Sequence, residues 1–117
     1  MDFAITLENR LFPVQAFFNA MPARSFLEAL KNVAKGIGAG FNDAVCEFPD
    51  ELDEDEEKFT GVKFYIFNEE LIVSNADFVM HLKDVCRLYT QTNPDDSARV
   101  KQALDDVISK LDVKQRA

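Results

Sequence analysis

Eight carboxylates and no base fall within the eleven residues from Glu47 to Glu57, and an apolar ribbon, Val62 to Phe67, begins just beyond them. Ionised carboxylates without partners must stay in water, so no folded interior can take this block. It has to be a surface loop, and the chain on either side has to close over a core without it. The carboxylates are Glu47, Asp50, Glu51, Asp53, Glu54, Asp55, Glu56 and Glu57. The chain holds 21 acids and 13 bases, so outside this block acids and bases are equal in number and the formal charge of −8 belongs to one segment. A run of like charge repels itself and ordinarily serves as a disordered tail or an interaction surface. Its place between apolar runs argues against a tail.

With 117 residues, 47% of them apolar and 11 of them Phe, the chain can bury one real core. A single domain over residues 1–117 is expected, with the acidic loop at 47–58. No apolar run reaches the roughly 18 residues of a membrane span. Asp2 and Glu8 stand where a secretory signal would be basic and then apolar, which predicts a cytoplasmic protein. Cys46 and Cys86 lack CxxC or Cys/His spacing and read as reduced, partly buried thiols. Lys and Arg are scattered singly, so no basic patch offers itself to a phosphate backbone, and nucleic acid is not expected as a direct ligand.

Apolar residues from Leu11 to Met21 recur at helical spacing and predict a helix over Phe12 to Ala20, with Pro13 in its first turn. Ser25 and Glu28 have the form of a capping box before a second helix whose stripe is Phe26, Leu27, Leu30, Val33 and Ala34. Gly36 suits a left-handed cap. The following Gly38 and Gly40 give a G-x-G-x-G run, but it closes a helix where a dinucleotide loop would open one, so it reads as a helix stop and flexible link. Phe41 to Phe48 predicts one strand. Val62, Phe64 and Ile66 alternate with Lys63, Tyr65 and Phe67, which predicts a central strand covered on both faces or nearly so. A turn at Asn68-Glu69 returns the chain through Glu70 to Val73. Ser74 caps a helix with the stripe Phe78, Leu82, Val85, Cys86 and Tyr89, and Asn93-Pro94-Asp95-Asp96 opens a last helix carrying Asp95–Arg99 and Asp106–Lys110 pairs. The expected fold is α+β: N-terminal helices, a small antiparallel sheet of about three strands, and two closing helices.

Catalytic signals are weak. His81 follows Asp77 by one helical turn, the spacing of a surface ion pair, and Cys86 stands about 140° around the helix from His81, which excludes a dyad from this helix alone. A Ca²⁺ loop begun at Asp53 would need Gly at its sixth position and Glu at its twelfth, where the chain has Lys58 and Phe64. No catalytic residue, cofactor or metal ligand is therefore assigned. Phe48, Leu52, Phe59 and Tyr65 stand beside the carboxylates as apolar anchors, and interfaces need both kinds of group.

Phe59-Thr60-Gly61-Val62-Lys63-Phe64, Glu70-Leu71-Ile72-Val73-Ser74 with Asp77-Phe78, Cys86-Arg87-Leu88-Tyr89 and Asn93-Pro94-Asp95-Asp96 together resemble immunity proteins of bacterial contact-dependent growth inhibition systems, in particular the ribonuclease toxin immunity group. The likeness runs from about Phe59 to Leu111 and rests on structural elements; Met1 to Val45 match no pattern of that family. It implies a non-enzymatic cytoplasmic protein that binds the C-terminal nuclease domain of a toxin delivered by a neighbouring cell. The acidic block with Phe48, Leu52, Phe59 and Tyr65 is then the expected partner-binding set, since a nuclease cleft that holds RNA is basic. An acidic adaptor or chaperone for another basic protein is the alternative, and a divalent-metal hydrolase built on the loop is a third.

Overall fold

In the computed structural model, which describes residues 5–52, 54–56 and 58–112, one four-stranded antiparallel sheet packs against helices. The order along the chain is α1 (Phe12–Ala20), α2 (Phe26–Val33), β1 (Ala39–Phe41), β2 (Ala44–Glu47), β3 (Val62–Ile66), β4 (Glu69–Val73), α3 (Asn75–Thr92) and α4 (Ser97–Lys110). The strands lie side by side in that sequence, so β3 is internal, as its apolar alternation predicts. Helix α1 crosses the inner face of the sheet, while α2 and α3 both pack on α4.

The core is built around Phe64, which is fully buried. Phe17 and Phe18 of α1 and Phe78 of α3 surround it, with ring centroids 5.5, 6.2 and 5.9 Å away. Phe26 and Tyr89 make a second aromatic contact at 4.8 Å. Burying rings of this size contributes about 1.5–3 kcal/mol each. Pro13 sits in the first turn of α1, where its missing N–H costs nothing. Before α1, residues 5–8 run without regular structure into a 3₁₀ turn (Asn9–Leu11) and are tied down by side chains: the Ile5 N–H donates to Asn19 Oδ1 at 2.8 Å, Asn19 Nδ2 donates back to the Ile5 carbonyl at 3.0 Å, and the Leu7 N–H donates to Gln15 Oε1 at 2.7 Å. At the head of α3, Ser74 Oγ accepts from the Asp77 N–H at 3.1 Å, as expected of an N-cap.

Several expectations are corrected. The stretch read as one strand from Phe41 to Phe48 is a hairpin, because Asn42 takes φ 55 and turns the chain, which raises the strand count to four. Asn is one of the few residues with a Cβ that tolerates this region. The second hairpin turns at Phe67-Asn68, one residue earlier than expected, with Ile66 opposite Glu69. The outer face of the sheet is open rather than covered, since Lys63 and Tyr65 are only half-buried and Phe67 is exposed. Ser25 caps nothing: it ends a 3₁₀ turn (Ala23–Ser25) at φ −93, ψ −8, where the backbone is already helical, and its hydroxyl makes no cap bond. Arg99 pairs with Asp96 at 3.6 Å rather than with Asp95, and no ion pair joins Asp77 to His81 among the described residues.

The glycine run is no flexible link. Gly36 takes φ 78 and closes α2 with the Gly36 and Ile37 N–H groups donating to the Val33 and Asn32 carbonyls. Gly38 lies so close to β2 that a Cβ there would stand 1.9 Å from the Cys46 carbonyl oxygen. Only glycine lets these two backbones touch.

Candidate functional site: the acidic outer face of the sheet

Side chains alternate between the faces of a strand, and residues paired across strands share a face. Val45, Tyr65 and Glu70 are cross-strand partners, as are Glu47, Lys63 and Ile72, so these six form two rows on the outer face. Lys63 Nζ stands in the middle, 3.9 Å from both Glu47 Oε1 and Glu70 Oε1 and 4.7 Å from the centre of the Phe59 ring. One cation thus ties two strands and the end of the acidic loop together, although contacts of this length with partly exposed partners contribute little to stability, about 0–1 kcal/mol each.

The loop begins as a 3₁₀ turn (Pro49–Glu51) entered through Phe48. Glu51 Oε1 accepts from the Phe48 N–H at 2.8 Å and from the Gly38 N–H at 3.0 Å. Of the residues expected to touch a partner, Glu51 is therefore also a structural pin. Phe48 is 1% exposed and packs edge-on against Phe78 at 5.7 Å, which makes it a support for the loop, its ring turned into the core. Leu52, Phe59, Tyr65 and Glu47 are half-buried, and Glu54, Asp55 and Glu56 are exposed. Asp53, Glu57 and the side chain of Asp50 lie outside the described residues.

Loop and sheet converge electrostatically on Tyr65. Its phenol is pushed above the ordinary tyrosine range by desolvation first and then by the carboxylates of Glu47, Glu51, Glu56 and Glu70. Two of those acids come from the strands and two from the loop, whose following aromatic, Phe59, stands 4.7 Å from Lys63 Nζ on the same face. A recess of about 280 Å³ opens on this face, its lining including Glu47, Lys63, Tyr65, Phe67, Glu69 and Glu70. Sequence reasoning reached Glu47 and Tyr65 but missed Phe67, Glu69, Glu70, Val45 and Ile72. Lys63 was the available signal, because a base in the middle of an apolar strand implies that one of its faces is wet.

The surface offers hydrogen-bond acceptors and aromatic rings. Among the described residues, none on it is a Cys, Ser or His paired with a base. Cys46 and Cys86 are buried, and burial raises both thiols, Cys86 to about 12. Reactive thiols are shifted the other way. His81 faces a separate recess with Ile5, Leu7 and Asp84. Among the described residues no three His, Cys, Asp or Glu side chains are grouped so as to hold a metal ion, and no helix is long and apolar enough to cross a membrane.

A family model described as CDI immunity protein matches residues 10–104, from the turn before α1 into α4, so the likeness reaches well into the segment before Val45 where the sequence alone had offered no family pattern. No curated protein sequence matches the chain.

Proposed function

The chain belongs to the CDI immunity protein family and serves as immunity against a toxin of contact-dependent growth inhibition; from that premise we propose that its acidic outer face binds the toxin's C-terminal nuclease domain and covers the active-site cleft. The resemblance to the ribonuclease group makes RNA the expected substrate of that toxin, which the protein would meet in the cytoplasm. The observation that carries the proposal is the outer-face cluster, in which strand register sets Glu47, Lys63, Tyr65 and Glu70 on one face and Phe59, at the end of the acidic loop, lies against Lys63. A nuclease must hold phosphates with Lys and Arg. A surface with this field would attract such a cleft from a distance and disfavour acidic partners. Tyr65, Phe59 and Leu52 would supply the apolar contact that charge alone lacks.

Competition tests the mechanism. A catalytically inactive toxin domain is loaded with labelled RNA and titrated with the immunity protein. Occlusion requires RNA to be displaced as the complex forms. A ternary complex of toxin, RNA and immunity protein would place binding beside the cleft and overturn this reading.

A further inference from the structure

Two hairpins in this sheet make the same demand on their backbone and answer it differently. Each has a two-residue loop whose first residue takes positive φ, 55 at Asn42 and 54 at Phe67. Primed turns of this kind suit Gly, Asn or Asp. Asn42 obeys the rule, whereas Phe67 places a bulky ring where a Cβ is strained and the aromatic type is rare.

Burial does not explain the choice, because Phe67 is 77% exposed, the most of any large apolar side chain among the described residues. Nor does the sheet need it, since β3 and β4 are held in register by five residue pairs from Val62↔Val73 to Ile66↔Glu69. An exposed side chain held in a strained backbone conformation that neither packing nor register requires points to a role outside the sheet. The surroundings say what: Phe67 forms one wall of the acidic recess, with Tyr65, Glu47, Glu69 and Glu70 around it and Lys63 already paired. A cationic side chain entering there would meet carboxylates and two aromatic rings together.

We infer that Phe67 is the aromatic anchor of this face, packed in the complex against the apolar stems of basic side chains from the toxin domain. The inference rests on the proposed acidic interface and adds the residue that sets how long the complex lasts. Charges around a rim govern association, while a covered aromatic governs dissociation.

The test uses the full chain and the C-terminal domain of the toxin it protects against. Phe67→Asn copies the other hairpin, so its melting temperature should equal or exceed that of the parent, while dissociation should quicken about tenfold or more at both low and high salt. Phe67→Tyr should dissociate like the parent. An unchanged dissociation rate in Phe67→Asn, or a lower melting temperature, overturns the anchor. A loop variant with its carboxylates neutralised, measured alongside, separates the two failures. If it still associates slowly at low salt, only the role of Phe67 falls; if it too is unchanged, the acidic interface falls with it.

Discussion

Glu51 Oε1 lies 3.0 Å from the amide nitrogen of Gly38, thirteen residues upstream, and the same oxygen takes the Phe48 N–H. One carboxylate of the acidic block therefore fastens the glycine run to the start of the loop. Glu51→Ala should lower stability by about 1–2 kcal/mol, since it strands a half-buried N–H, and Glu51→Gln should lose less than about 0.5 kcal/mol because it keeps the acceptor. Urea denaturation of the two variants checks this. Equal stability of Glu51→Ala and the parent would remove the structural role.

Phe64 joins the sheet to α1 and α3 and is fully buried. Phe64→Asp would place an unpaired charge among the three rings of Phe17, Phe18 and Phe78 and should cost about 3–5 kcal/mol. A variant that remains soluble and unfolds cooperatively near the parent's midpoint would contradict the packing described.

The cysteines give a pH signature. Burial raises Cys86 from 9.0 to about 12, and burial with Glu51 and Glu47 raises Cys46. The folded chain thus keeps protons that the unfolded chain releases. This stabilisation is fully present below about pH 9 and lost as pH rises toward about 12. A Cys46→Ser, Cys86→Ala variant should show a shallower loss of stability across that window and should still bind the toxin. Native thiols should react with alkylating reagents only when the chain opens. Fast labelling at pH 8 in the native state, or loss of binding with stability intact, would point to a thiol with another task.

Helices and the central strand were legible because their signals are redundant. The bounds of α1 and the stripe of α3 follow from periodicity, Pro13 and Ser74 alike. The turns were less so. Moving the second turn from Asn68-Glu69 to Phe67-Asn68 leaves Leu71 and Val73 facing inward in either register, so hydrophobic parity could not choose between them. The first hairpin was hidden because Asn42-Asp43 lacks the usual Gly. The candidate site was half legible: a charge block shows in composition, but the strand carboxylates that join it, and Phe67 above them, become neighbours only through cross-strand register.

If the acidic face is the surface that meets the toxin, as proposed, its charge must set the rate of encounter. Asp53, Glu54, Asp55, Glu56 and Glu57 changed together to Asn or Gln, with Glu51 kept as the pin, should leave stability unchanged or slightly higher, because a run of like charges repels itself. Association with the toxin domain, measured at low and high salt for parent and variant, is the decisive quantity. The variant should associate about tenfold more slowly at low salt, the gap should narrow at high salt, and cells carrying it should lose protection. Equal association rates at low salt, with protection intact, would contradict the proposal and place the toxin on another face.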